Sequence, residues 1–316
     1  MTTPLLLFAA SLALLLVAAH FFTGAAERIG LALGLSPFVV GVMIVAVGTS
    51  LPELVASVLS VRAGTSEIVA GNVLGANATN LLLVLGAVSA ASRTPRISLG
   101  EQYIFIDLHF LLGGMVLLGA MMMDGLVSRL DGGLLVAAYL AFVIYLVREG
   151  RTPTADADAD AMLGEQSRSI ARDGVILLAA GAAIYLGGDF TVQSLEQLAT
   201  MLAISPAIAS ITILSLGTTL PELVISLTAT RRGQAELAVG NILGSCVFNT
   251  LAVSGVAALV GGVTVPAELL AFALPFVAAS TLFFYLLTQD KRISRWEGML
   301  LLVMFAYFML TLVQRA

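Results

Sequence analysis

Glu53 and Glu222 each lie deep in a long apolar run, where a carboxylate is costly to keep. At the centre of a bilayer a charged side chain costs ~2.5–3.5 kcal/mol on insertion scales. Both acids sit in the same phrase: Gly48-Thr49-Ser50-Leu51-Pro52-Glu53 recurs as Gly217-Thr218-Thr219-Leu220-Pro221-Glu222. A second phrase follows each, Gly71-Asn72-Val73-Leu74-Gly75 recurring as Gly240-Asn241-Ile242-Leu243-Gly244, and Asn80 recurs as Asn249. The offset never changes, since 217 − 48, 240 − 71 and 249 − 80 all equal 169. Ser36-Pro37 and Glu27 match Ser205-Pro206 and Glu196 at the same offset. Two acids at matched positions, each beside hydroxyls, read as one site built from a duplicated unit rather than as protonated packing residues.

The proline before each acid has a mechanical consequence. Pro52 and Pro221 offer no N–H, so the carbonyls of Gly48 and Gly217 lose their helical donors and the preceding turn is pushed aside. Freed carbonyls at membrane depth are tolerated where they face protein, a cavity or an ion. Each motif therefore offers backbone oxygens from Gly48 and Thr49 or Gly217 and Thr218. To these it adds hydroxyls from Thr49 and Ser50 or Thr218 and Thr219, and one carboxylate. These are hard oxygen donors with no His or Cys among them, which favours sodium, calcium or magnesium over zinc or copper. Helical spacing extends the set, with Ser50, Glu53 and Ser57 on one face and Thr219, Glu222 and Ser226 repeating it. In the following helices Asn72, Ala76 and Asn80 share a face, as do Asn241, Ser245 and Asn249. The paired glycines of each second phrase suit close helix packing. Asn80 and Asn249 suit either an ion or an interhelical hydrogen bond.

Charge counting narrows the ligand. Two ionised carboxylates balance one divalent cation, and left empty ~6 Å apart they would repel by ~3 kcal/mol at an effective dielectric of about 20. A cation or a proton must hold the place, so protons are expected to compete with metal ions there. A carrier that resists being empty releases one ion only against another, which is the behaviour of an exchanger.

The elements that position these residues follow from composition. The chain is 59% hydrophobic and 11% charged, with a mean hydropathy of +1.02, which excludes a soluble globule. Ten apolar runs approach the ~20 residues needed to span a bilayer: about 4–22, 36–61, 67–91, 102–123, 130–147, 170–188, 205–230, 236–261, 266–288 and 297–314. The alternating short segments of a membrane barrel are absent, so the expected fold is an all-α membrane protein of ten transmembrane helices. The first run has no basic residue before it and reads as a retained helix rather than a secretory signal. The single Cys246 leaves no intramolecular disulfide. With the N-terminus outside, 12 of the 15 Lys and Arg residues fall on the cytoplasmic side. That bias predicts both termini to be extracytoplasmic.

Five helices separate equivalent points of the repeat, so the second copy is expected to cross the membrane in the opposite sense, as in secondary transporters. Residues 1–147 form the expected first inverted repeat, with its motif region at 36–91. Residues 170–316 form the second, with its motif region at 205–261. Residues 148–169 read as a disordered cytosolic linker. Its Asp156-Ala157-Asp158-Ala159-Asp160 run fails as a calcium loop, because Ala161 and Ser167 stand where Gly and Glu are required.

The two motif pairs resemble the alpha-repeats of the cation/calcium exchanger superfamily, most of all those of prokaryotic sodium/calcium exchangers. The resemblance spans nearly the whole chain. It implies that Glu53, Glu222 and the Thr49 and Thr218 carbonyls ligate calcium. It also implies that these residues with Ser50, Thr219 and Ser245 bind sodium at neighbouring positions, and that Asn80 and Asn249 line the site. Ala76 stands where the family has a sodium-ligating Ser. Asn249 stands where some relatives have Asp, and its neutrality argues against potassium co-transport. The implied activity is antiport of calcium against sodium across the cell membrane, with two helices sliding past a static core. The ions are transported substrates at the midplane, and no resident cofactor, enzymatic activity or nucleic-acid partner is expected.

A proton-coupled calcium exchanger of the same superfamily is the nearest alternative, and a cation channel a distant one. An intramembrane protease lacks its GxGD or HExxH motif. His20 and His109 near helix ends, Asp107 close to the interface and Met121-Met122-Met123 at a helix end read as packing or interfacial residues. Glu27 and Glu196 read as solvated loop residues.

Overall fold

The computed structural model describes residues 2–32, 46–92, 96–98, 107–149, 163–231 and 235–315. The first half runs α1 (Thr2–Ala32), α2 (Ala46–Thr49), α3 (Leu51–Ala63), α4 (Glu67–Ala78), α5 (Leu85–Ala91), β1 (Arg96–Ser98), α6 (Asp107–Met122), β2 (Leu126–Val127) and α7 (Arg129–Glu149). The second runs α8 (Leu163–Leu202), α9 (Pro206–Ala209), α10 (Ser215–Thr218), α11 (Leu220–Arg231), α12 (Ala235–Val247), α13 (Ser254–Gly261), β3 (Val263–Thr264), α14 (Leu274–Leu287), β4 (Arg292–Ser294) and α15 (Arg295–Arg315). Wider π turns join α4 to α5 (Thr79–Val84), α9 to α10 (Ser210–Leu214) and α12 to α13 (Phe248–Val253), and a further one (Leu269–Ala273) leads into α14.

Local sequence sets the helix ends. Gly64 closes α3 in the left-handed region (φ 87°), its N–H reaching back to Ser60 and Val61, a conformation glycine adopts without a Cβ penalty. Ser205 opens α9 by accepting the Ile208 N–H on its side chain, with Pro206 in the first turn, where a missing N–H costs nothing.

Eight described helical stretches are long and apolar enough to cross a bilayer: Thr3–Phe22, Glu67–Ala91, Arg129–Leu146, Ile170–Leu202, Pro206–Arg231, Ala238–Gly261, Leu269–Leu287 and Arg295–Gln314. Leu108–Met122 is a shorter apolar helix, and the run expected at 36–61 is described only from Ala46 onward. Their burial separates centre from periphery. In the most apolar stretches of Glu67–Ala91 and Ala238–Gly261, 94% and 89% of residues are buried, against 22% in Arg129–Leu146 and Arg295–Gln314. The two asparagine-bearing helices therefore form the centre. The outer helices turn Leu130, Leu178, Val303 and Leu310 outward, which suits lipid rather than water.

The halves interlock. The last helix of each half packs on the central helix of the other, α7 on α13 and α15 on α5. Glycines at both crossings let the backbones touch. A Cβ on Gly132 would come within 2.7 Å of the Gly255 carbonyl, and one on Gly298 within 2.9 Å of the Gly86 carbonyl. Gly255 is the counterpart of Gly86, since 255 − 86 = 169. Two antiparallel ladders repeat the exchange: β1 pairs with β4 (Ile97 opposite Ile293) and β2 with β3 (Leu126 opposite Thr264). These strands are too short for an alternating pattern to register in sequence.

α1 and α8, the first helices of the two halves, lie against each other. Gly187 admits the Leu15 backbone to 3.0 Å of where its Cβ would stand, and the Thr191 hydroxyl donates to Ser11 Oγ at 3.1 Å. Both helices outrun the expected spans of 4–22 and 170–188. Glu27 and Glu196, expected in loops, are helical, and Glu196 accepts a 2.7 Å hydrogen bond from Thr65. His20, expected near a helix end, lies within α1 with its ring edge-on to Phe21. Hydropathy places a loop wherever charge appears, whereas here charge is paired between neighbouring helices: Arg28 meets the buried Asp173 at 2.7 Å. α8 also takes up the end of the expected linker from Leu163; residues 150–162, with the Asp156–Asp160 run, and Ser36-Pro37 lie outside the described residues.

Candidate cation-binding site

Both motif helices break at the same place. Ser50 (φ −92°, ψ 10°) separates α2 from α3, and Thr219 (φ −85°, ψ 2°) separates α10 from α11, each in the sparsely populated bridge region. The hydrogen bonds that span the two breaks are the same. Ser50 N–H reaches Ala46 O and Leu54 N–H reaches Ser50 O, while Thr219 N–H reaches Ser215 O and Leu223 N–H reaches Thr219 O, each at 3.2 Å. Thr49 and Thr218 are the final residues of α2 and α10, where a helix end leaves carbonyls without intrahelical donors. A break in the turn before the proline, expected from the sequence, is thus present in both halves.

Glu53 and Glu222 follow the breaks, and both are 0% exposed. The first half reaches across to the second: Ser50 Oγ donates to Glu222 Oε1 at 3.3 Å, and Thr49 Oγ1 lies 3.4 Å from Ser245 Oγ. Ser245 Oγ in turn donates to Glu222 Oε1 at 3.4 Å. The two carboxylates are near enough for their charges to act on each other. Among the described residues no Lys, Arg or His pairs with either acid; the ion pair present, Arg28–Asp173, lies between α1 and α8. Thr218 and Thr219 turn their hydroxyls back onto their own helix, to Leu214 O at 3.1 Å and Ser215 O at 2.7 Å.

Buried polar atoms with no hydrogen-bond partner among the described residues include both oxygens of Glu53, Oε2 of Glu222 and the whole side-chain amides of Asn80 and Asn249. A buried polar group left unpaired costs ~1–3 kcal/mol. Ala76 is buried and offers no side-chain oxygen. The arrangement brings Glu53, Ser50 and Thr49 to Glu222 and Ser245 and gives no interhelical hydrogen bond to Asn80 or Asn249. That link falls to Asn77, whose amide donates to Thr250 Oγ1 at 2.7 Å. Sequence reading passed over Asn77 because its counterpart at the constant offset is Cys246, and the search was for repeats.

The π turns were also missed. Thr79–Val84 and Phe248–Val253 are equivalent, since 248 − 79 and 253 − 84 both equal 169. Each carries its half's Asn, and each routes that residue's carbonyl to an N–H five positions on, Leu85 to Asn80 and Ser254 to Asn249. Such bulges gather at functional sites and leave no mark in composition. The glycines behave as packing residues: a Cβ on Gly71 would come within 2.4 Å of Ala207 O, and one on Gly75 within 2.7 Å of Ile211 O.

Residues 3–148 and 174–314 match the family model described as "Sodium/calcium exchanger protein". The chain belongs to the sodium/calcium exchanger protein family. It is 28% identical over 345 residues to the sodium/calcium exchanger MaX1 of Methanosarcina acetivorans, covering 98% of this chain and 99% of that one. Its backbone overlays the sodium-calcium exchanger NCX_Mj, soaked with sodium and strontium, at a TM-score of 0.70 with 25% identity, covering 97% and 98% of the two chains. The fold is shared as well with the H+/Ca2+ exchanger CAX, at a TM-score of 0.81 with 17% identity, covering 98% and 87%. The chain is thus a multi-pass membrane protein of an antiporter family, and its two matched stretches contain the two motif halves.

Proposed function

We propose that this sodium/calcium exchanger family member is a secondary antiporter that moves calcium against sodium by alternating access, exporting calcium on the sodium gradient. One observation carries the reading: two fully buried glutamates follow equivalent helix breaks with no basic partner among the described residues, and one of them, Glu222, accepts from hydroxyls of both halves. Two carboxylates balance one Ca2+ or part of a set of Na+ ions. In our reading Glu53 and Glu222 hold calcium with the Thr49 and Thr218 carbonyls. Ser50, Thr219 and Ser245 extend the oxygen set for sodium, Asn80 and Asn249 line it, and Ala76 leaves a gap in it. The names of MaX1 and NCX_Mj support sodium as the coupling ion.

The architecture we assign is ten helices in two inverted five-helix repeats, residues 1–147 and 170–316, joined through a cytosolic segment, with both termini extracytoplasmic. The interlocked crossings and the paired ladders support it. Protons compete for the same carboxylates.

The test is radiolabelled calcium uptake into proteoliposomes with sodium, potassium or proton gradients imposed separately. A sodium gradient drives uptake, and Glu53→Gln or Glu222→Gln abolishes it while the protein stays folded by size-exclusion chromatography. Uptake driven only by a proton gradient would establish proton coupling instead, and retained exchange in both variants would overturn the site.

A further inference from the structure

One helical turn beyond each glutamate the two halves differ. In the second half Asn241 Nδ2 donates to Ser226 Oγ at 3.2 Å, and Ser226 Oγ donates to Ala238 O at 3.3 Å. That leaves Asn241 Oδ1 as the one atom of the pair with no hydrogen-bond partner among the described residues. Its counterparts at the constant offset are Ser57 and Asn72, since 226 − 57 and 241 − 72 both equal 169. Both are 0% exposed, and Ser57 Oγ, Asn72 Oδ1 and Asn72 Nδ2 have no hydrogen-bond partner among the described residues. Their helices, α3 and α4, pack against each other as α11 and α12 do. The same asymmetry marks the acids: Glu222 Oε1 is held by Ser50 and Ser245, whereas both Glu53 oxygens are unengaged.

We infer that Ser57 and Asn72, with Glu53, form a separate monovalent-cation position beside the central site, present in the first half alone. The inference rests on the sodium-coupled reading above and assigns one of its ions. The chemistry fits Na+. A hydroxyl and an amide carbonyl are hard neutral oxygens, and one shared carboxylate balances a single positive charge. A divalent ion there would draw Glu53 away from the calcium position. In the second half the direct Asn241–Ser226 bond and the Ser226–Ala238 bond engage the hydroxyl, so a lone amide oxygen, Asn241 Oδ1, is left there.

The test uses the purified full chain, measuring 45Ca binding displaced by Na+ at constant ionic strength. Ser57→Ala and Asn72→Ser raise the sodium concentration for half-displacement by about three- to tenfold, the loss of one ligand oxygen, and flatten the sodium dependence. Calcium affinity without sodium stays within about twofold of the wild-type chain. Ser226→Ala leaves sodium displacement unchanged. Unaltered sodium displacement in Ser57→Ala, or calcium and sodium affinity falling together, overturns the inference. If Asn72→Ser fails to fold, Ser57→Ala, which removes one oxygen and no packing carbon, decides alone. Absence of sodium displacement in the wild-type chain would instead overturn the sodium-coupled reading, and this position with it.

Discussion

At Ala76 the molecule departs from its own symmetry, because its counterpart at the constant offset, Ser245, supplies a hydroxyl to Glu222. Ala76 is buried with no oxygen to give. Ala76→Ser restores that oxygen and is expected to lower the sodium concentration for half-maximal exchange by about threefold, the worth of one modest added contact. Sodium-dependent calcium uptake in vesicles measures it, and a weaker sodium response would count against Ala76 lining the site. The acids, hydroxyls and prolines of the site were legible because their types are unusual in apolar sequence and their offset is constant. Asn77 was not, since its hydrogen bond to Thr250 is a contact without a symmetric copy. Nor did the sequence reveal that the Thr218 and Thr219 hydroxyls turn inward onto their own helix.

Among the elements, two neighbouring glycines in α7 test the crossings against each other. Gly132 touches the Gly255 carbonyl, whereas a Cβ on Gly133 would meet nothing within 4 Å. Gly133→Ala is expected to stabilise the helix by up to ~1 kcal/mol through propensity, and Gly132→Ala to destabilise by ~1–3 kcal/mol through overpacking. Thermal unfolding of the two purified variants should move in opposite directions; a common shift would mean the crossing does not matter. The apolar helices were readable from their length and hydropathy. The ends of α1 and α8 were not, because charges that hydropathy assigns to loops are paired between helices, as Arg28 is with Asp173. The π turns escaped because an i to i+5 hydrogen bond asks nothing distinctive of the side chains that make it.

For the whole molecule, the inverted arrangement proposed above makes a topological prediction. Arg62 and Arg231 end equivalent helices, α3 and α11, and both are exposed. Cys246 is buried and contributes no background to thiol labelling. A membrane-impermeant maleimide should label Arg62→Cys from the extracytoplasmic side of intact cells and Arg231→Cys only after the inner face is opened. Labelling of both from one side would exclude the inverted arrangement. The duplication itself was legible from the 169-residue offset. The exchange of outer helices between halves was not, since Gly86 meets Gly298 across more than half the chain and no local pattern announces the meeting.

That exchange bears on how the protein is made. The Gly86 face of the first central helix docks on α15, which leaves the ribosome more than half of this sequence later. Until then this face must wait against lipid or the insertion machinery, and the first half cannot finish its own interior. Packing of the first half therefore waits for α15, and a nascent chain that stalls before it would be a substrate for quality control, whatever its central glutamates hold.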